Sequence, residues 1–437
     1  MSLLPNIVFS LILLFAVVLF TRNIQKIQRN IKLGKAADRS NAPSLRLKNM
    51  IRVALGQSKM VTRPIAGILH LIIYIGFILI NIELLEILLD GILGTHRLFA
   101  APLGELYSFL IGSFEILAFL VLISVFFFWT RRNIMRIERF LKPEMKGWPK
   151  NDANYILYFE VVLMFLFLSM NATDSILQDL DPEHYIKAGS FPISGFLVPL
   201  FSGFDMATLV TLERTFWWMH ILGIFTFLNY LYFSKHLHIL LAFPNTYFYN
   251  LKPKGAFTVD KNITKEIQLM MDPQAEDSAT ETTPDKFGAS DVFDLSWIQL
   301  MNAYSCTECG RCTSACPANM TGKKLSPRKI VMNVRDRLEE VGRNIDKNKG
   351  TFQPDNKQLL DDYISREELW ACTSCNACVV ECPIEIDPLS IIMDMRQYLV
   401  MEQSAAPSDL NNMMSNIENN GAPWPFNNQD RMLWTQE

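Results

Sequence analysis

Apolar residues crowd the first 245 positions of this 437-residue chain, whereas the remainder is polar and holds all eight cysteines. Crossing the roughly 30 Å apolar core of a bilayer takes about 20 residues of helix. Five stretches reach or approach that length: approximately Leu3 to Phe20, Ile65 to Leu89, Leu106 to Trp129, Tyr155 to Met170 and Phe216 to Phe243. The pattern therefore predicts an all-α protein with a five-helix transmembrane bundle. The fourth stretch is short, with a pocket-lining or partly exposed helix as its other reading. The first lacks the basic start and small-residue cleavage site of a secretory signal, so an uncleaved anchor is expected. The segment "GSFPISGFLVPLFSGF" (189–204) is broken by prolines and glycines. It is expected to lie in the outer interface rather than to form a sixth span.

Charge sets the expected orientation. The loop 22–63 holds eleven Lys/Arg against the single acid Asp38, and 131–150 holds seven, whereas 171–213 has one lysine, Lys187, among several acids. The positive-inside rule places the N-terminus outside and the basic loops in the cytoplasm. An odd number of spans then delivers the polar half to the cytoplasm, at the inner membrane of a bacterium. The net charge of −3 carries no basic tract interleaved with aromatics, so nucleic acid is not an expected partner.

Four units follow: a transmembrane domain over 1–250, a linker over 251–295, a cytoplasmic domain over 296–402 and an extended tail over 403–437. Within the linker, "DPQAEDSATETTPD" (272–285) is acidic and short in side chain, which suits a flexible connection.

The cysteines form two matching runs, "CTECGRCTSACP" from Cys306 and "CTSCNACVVECP" from Cys372. Each is C-x2-C-x2-C-x3-C-P, a spacing in which three thiolates wrap one [4Fe–4S] cluster and the fourth crosses to the other. Hence Cys306, Cys309, Cys312 and Cys382 are expected around one cluster, and Cys372, Cys375, Cys378 and Cys316 around the second. Zinc sites pair two CxxC elements and have no use for a third cysteine and trailing proline. Disulfides are disfavoured in a cytoplasmic domain. The 55 residues between Cys316 and Cys372 read as helix: Ser326 is a plausible N-cap before Pro327, and Asp387 before Pro388 repeats the pattern. Two copies of cluster loop, capped proline and helix make an α-helical ferredoxin domain.

Ionisable side chains within lipid mark function by default. His70 lies near the inner end of the second span, His220 near the outer end of the fifth, and His236 and His238 near its inner end. Histidines on facing helices build haem sites in bundles. In a continuous helix His220 and His238 stand about 27 Å apart and cannot serve one haem. His70 shares a depth with the His236/His238 pair. Eighteen residues make five whole turns, so His238 shares a face with His220 and is expected to be the ligand with His70, leaving His236 toward headgroups, a propionate or the cytoplasmic domain. Glu115 and Glu160, in the middle of the third and fourth spans, are candidates for a quinone or proton site or for buried hydrogen-bonded acids.

On these residues the chain resembles known families. Residues 296–400 resemble the cluster domains of heterodisulfide reductase subunits, of the anaerobic glycerol-3-phosphate dehydrogenase iron–sulfur subunit and of succinate dehydrogenase iron–sulfur proteins. The spans and histidines resemble the cytochrome b subunit of respiratory nitrate reductase. That family has a second histidine in its second span where this chain has Ile80. The resemblance implies an inner haem b on His70 and His238, and leaves an outer haem at His220 without an obvious partner beyond His96 or Met170. The fusion of both parts resembles heterodisulfide-reductase-related Fe–S oxidoreductases of the electron-transfer-flavoprotein:menaquinone type. It implies quinone-linked electron transfer with a CCG-domain Fe–S subunit or an electron-transfer flavoprotein as partner, substrate chemistry residing on that partner. The tail "NIENNGAPWPFNNQDRMLW" (416–434) resembles a segment found beside the CCG region, with Trp424, Arg431 and Trp434 as anchors. Two rival readings stay open: a heterodisulfide- or sulfite-linked reductase running from quinol, and a non-catalytic membrane anchor or redox sensor. No nucleotide or flavin fingerprint is present, and no catalytic residue is assigned.

Overall fold

The computed structural model describes residues 3–256, 261–272 and 286–436, so most of the expected flexible linker (273–285) lies outside the described residues. Among the described residues the chain is mostly helical, with only two isolated β-bridges, Lys35 to Ser296 and Leu360 to Ile364. The membrane half comprises α1 (Leu4–Ile31), α2 (Pro43–Met50), α3 (Pro64–Leu93), α4 (Glu105–Asn133), α5 (Trp148–Leu180), α6 (Met206–Tyr230) and α7 (His238–Tyr247). The cysteine-bearing half is built on α8 (Trp297–Ser305), α9 (Pro327–Lys347) and α10 (Pro388–Met401), followed by α11 (Ser408–Asn420).

Among the described residues, four helices are long and apolar enough to cross a membrane: α1, α3, α4 and α5. Two expectations need correction. The fourth stretch is not short, because α5 runs 33 residues. Hydropathy stops at Met170 because Asn171, Asp174 and Gln178 follow, yet all three are buried. The fifth stretch is not one helix. It breaks after Tyr230 into two 3-10 turns, Leu231–Phe233 and Lys235–Leu237, before α7 begins at His238. Side chains take over the backbone pairing at the break. The Ser234 hydroxyl accepts the N–H of His236 at 3.0 Å, and Asp152 accepts the N–H of Lys235 at 3.1 Å while receiving the Tyr230 hydroxyl at 2.7 Å. The five-turn rotation that put His220 and His238 on one face does not apply across this break. The 189–204 segment contains only single turns, Ser194–Phe196 and Val198–Phe201, too short to cross.

One core unites the two halves. Ile27 of α1, Phe227 of α6, Leu231 and Leu237 pack in the same buried cluster as Leu300, Val334, Leu338 and Met395 of the cysteine-bearing half. Each such side chain contributes about 1.5–3 kcal/mol through burial. Polar stitches fix the register. Asn30 donates to the Tyr304 hydroxyl at 2.9 Å, Lys26 pairs with Asp346 at 3.1 Å, and Lys35 and Leu295 share a backbone hydrogen bond of 2.8 Å. Gly342 faces Asn30 so closely that an added Cβ would stand 2.4 Å from its amide nitrogen, so α1 and α9 meet here only through glycine.

Candidate electron-transfer site

The two cysteine loops fold alike. Helix α9 starts at Ser326, whose hydroxyl accepts the N–H of Lys329, with Pro327 in the first turn. Asp387 accepts the N–H of Ser390 ahead of Pro388 and α10. In each loop the second and fourth residues after the first cysteine adopt positive φ: Glu308 (56°) and Gly310 (72°) in one, Ser374 (57°) and Asn376 (59°) in the other. These left-handed positions turn successive thiols toward one centre. The N–H of Glu308 donates to Cys306 Sγ and that of Ser374 to Cys372 Sγ, both at 3.4 Å. A third such bond runs from the Ile386 N–H to Cys382 Sγ at 3.3 Å.

The thiols fall into two sets. Cys306, Cys309, Cys312 and Cys382 line one cavity, and Cys316, Cys372, Cys375 and Cys378 line another. Each cavity thus draws three cysteines from one run and the fourth from the other run. Among the described residues no three His, Cys, Asp or Glu side chains converge on a single-ion site. Thiols standing around a cavity instead suit a polynuclear cluster whose body separates its ligands. Burial pushes the Cys306 thiol up to about 11 and the Cys382 thiol up to about 12. Unligated thiolates would be costly here, and iron, by binding the thiolate form, offsets that cost. Cys375 is the exposed member of the set.

On the membrane side the structure brings His70, His236 and His238 together. The ring centres of His70 and His238 are 6.5 Å apart, and those of His236 and His238 5.4 Å apart at 89°. A metal bonded to both of two imidazoles at about 2 Å per bond stands about 3 Å from each ring centre, so the His70–His238 spacing fits one iron between them. His238 directs Nδ1 at the Lys235 carbonyl at 3.2 Å, which leaves Nε2 free, a backbone carbonyl being a common outer partner of a metal-binding histidine. His70 Nδ1 is buried with no partner. His236 packs on Phe227, 5.3 Å between centres.

His220 stands apart, its Nδ1 3.0 Å from the Leu163 carbonyl and its ring beside Phe167. His96 is held on Asp174 at 2.9 Å, in a buried network with Arg97. Met170 is buried on α5. Glu115 accepts the N–H groups of Ile193 and Ser194 at 2.9 and 3.0 Å and the Asn171 amide at 3.1 Å, so this acid fastens the 189–204 segment to the bundle. Glu160 is only partly buried on α5. In the tail, Trp424 and Trp434 are exposed, and the side chain of Arg431 lies outside the described residues.

Sequence reasoning missed the joint between the two sites. Lys235, three residues before His238, pairs with Glu308, which lies between Cys306 and Cys309; Arg335 of α9 pairs with the other Glu308 oxygen. Burial alone would raise the Glu308 carboxyl, but the two cations hold it down at about 2. Thr307, next to Glu308, lines both the histidine cavity and the first cysteine cavity. Arg311 donates to the Lys59 carbonyl at 2.9 Å, tying the same loop to the segment before α3. Nothing in the sequence marks an isolated Glu between two cysteines as the partner of a lysine 73 positions earlier.

Long apolar helices joined to two four-cysteine cradles define an iron–sulfur electron-transfer protein with the features of a membrane protein. Residues 305–386 match the 4Fe-4S dicluster domain family. Over 99% of its length the chain is 28% identical to the probable iron-sulfur-binding oxidoreductase FadF of Bacillus subtilis (strain 168), covering 61% of that protein. Over 88% of its length it is 27% identical to the EtfAB:quinone oxidoreductase of Syntrophomonas wolfei, covering 53%. Over 27% it is 31% identical to one subunit of the ferredoxin/F(420)H(2)-dependent CoB-CoM heterodisulfide reductase of Methanosarcina acetivorans, covering 60%. These relatives are named as oxidoreductases or their subunits, and the chain spans less than two thirds of the length of each. No solved structure matches the chain significantly.

Proposed function

We propose that this chain is the membrane electron-transfer subunit of a quinone-linked oxidoreductase, with a haem b between His70 and His238 and two [4Fe–4S] clusters ligated as the two cysteine sets group them. The observation that carries this reading is the contiguity of the two sites: Thr307 lines both cavities, and Lys235 and Glu308 hold their walls together. When bound, the haem and clusters would relay single electrons between the quinone pool, menaquinone by resemblance, and a soluble partner. The chain supplies position and polarity. His70 and His238, their ring centres 6.5 Å apart, would hold the haem, and the N–H donors to Cys306, Cys372 and Cys382 stabilise charge on sulfur. The partner is proposed to be an electron-transfer flavoprotein or a CCG-domain Fe–S subunit. The similarity to a protein named EtfAB:quinone oxidoreductase supports the former. The bundle is placed in a bacterial inner membrane with the cysteine-bearing half in the cytoplasm. Flow from quinol to a cytoplasmic acceptor would use the same residues.

The test is to purify the full chain from membranes and measure haem, iron and sulfide together with quinol-reduced spectra. About eight irons in clusters and one b-type haem per chain support the reading. Absence of haem would remove its membrane half.

A further inference from the structure

A cavity of about 200 Å³ opens beside His236 and His238, walled by Arg131, Arg132, Arg139, Lys235 and Thr307. Of its cations, Lys235 is neutralised by Glu308. The three arginines are not: among the described residues none has an ion-pair partner, and Arg132 Nη1 and Arg139 Nε are buried without any hydrogen bond. The two guanidinium groups flank the Phe140 ring, 4.5 and 5.0 Å from its centre. A buried donor without a partner is costly, more so when charged, and guanidinium forks match carboxylates. The cavity therefore calls for anionic oxygen acceptors beside the ring of His238.

We infer that Arg132 and Arg139, with Arg131 beside them, cradle the propionate carboxylates of the haem held by His70 and His238. The inference rests on the haem reading above. It gives three of the charges in the basic 131–150 loop a binding role besides orientation. A haem so held would have its carboxylates on the side of Thr307, which also lines the first cysteine cavity.

The test uses the full chain in detergent with Arg132→Gln, Arg139→Gln and the double variant, with Lys48→Gln, an exposed cation elsewhere, as control. Haem midpoint potential and release of haem to an excess of an apo-haem-binding protein are recorded. Loss of a positive charge beside the haem disfavours its electron-rich reduced form. The double variant is expected to keep a b-type spectrum, shift to a more negative potential and release haem faster, while Lys48→Gln matches wild type. Arg132→Lys, which keeps the charge and is the milder change should the double variant fail to fold, is expected to hold the potential near wild type and still release haem faster. Potentials and release rates unmoved in the arginine variants would overturn the cradle alone. A wild-type chain without haem would overturn the haem reading and the cradle with it.

Discussion

The Lys235 ammonium is paired with the Glu308 carboxylate, both side chains almost fully buried. One residue belongs to the histidine-bearing turn and the other to the first cysteine loop. Breaking a buried pair by removing one partner costs about 3–5 kcal/mol, because the remaining charge is stranded. Here Arg335 still faces Glu308, so Lys235→Met is expected at the low end of that range. Glu308→Gln alone strands both Lys235 and Arg335, so the double variant should lose less than the sum of the two single losses. Thermal unfolding of the single and double variants in detergent checks this coupling, and strictly additive effects would show that the pair is not a joint.

The two histidines two residues apart separate by substitution. His238→Ala and His70→Ala are each expected to abolish b-type absorbance, because each removes one of two facing rings. His236→Ala should retain it, with altered haem potential. Reduced-minus-oxidised spectra of the membranes decide the matter.

Crossed ligation makes a distinctive prediction. Cys316→Ser is expected to damage the cluster of Cys372, Cys375 and Cys378, and Cys382→Ser that of Cys306, Cys309 and Cys312, each from the opposite run. Iron content with electron paramagnetic resonance of the reduced protein distinguishes this from loss within the same run.

A pH-dependent joint lies between the 131–150 loop and α9. Glu144 accepts hydrogen bonds from Arg328 and from the Ser326 hydroxyl, both at 2.7 Å. Burial alone would raise its carboxyl, but these bonds outweigh it and hold it below the usual range. A depressed acid contributes stability that is present above its unfolded value, about 4.3, and is lost as pH falls through the folded value. Hydrogen exchange of residues 137–150 should therefore accelerate below about pH 4 in the wild type. In Glu144→Gln it should be faster at neutral pH and change less on acidification.

Much of this is legible in the chain because it depends on local spacing. The cysteine runs, the caps at Ser326 and Asp387, and the shared depth of His70 and His238 each need only a few neighbouring residues. What is not legible depends on distant partners. The break at Ser234 rests on Asp152, more than eighty residues away, and without it the run from Phe216 to Phe243 reads as one helix. The rotation argument for His238 does not survive that break; the ring geometry with His70 supports the same residue for a different reason. The C-terminal half of α5 escapes a hydropathy reading because Asn171 and Asp174 look too polar to be buried, until Arg97 is placed against them.

The central claim is that electrons pass between a quinone and the clusters by way of the His70–His238 site. The direct measurement is anaerobic reduction of the full chain in liposomes by a menaquinol analogue, followed by absorbance for haem and paramagnetic resonance for the clusters. The account predicts that both signals rise in the wild type, and that in His238→Ala the clusters stay oxidised with quinol yet are reduced by dithionite. Clusters reduced by quinol equally fast in His238→Ala, or a wild type with no haem signal, would contradict it.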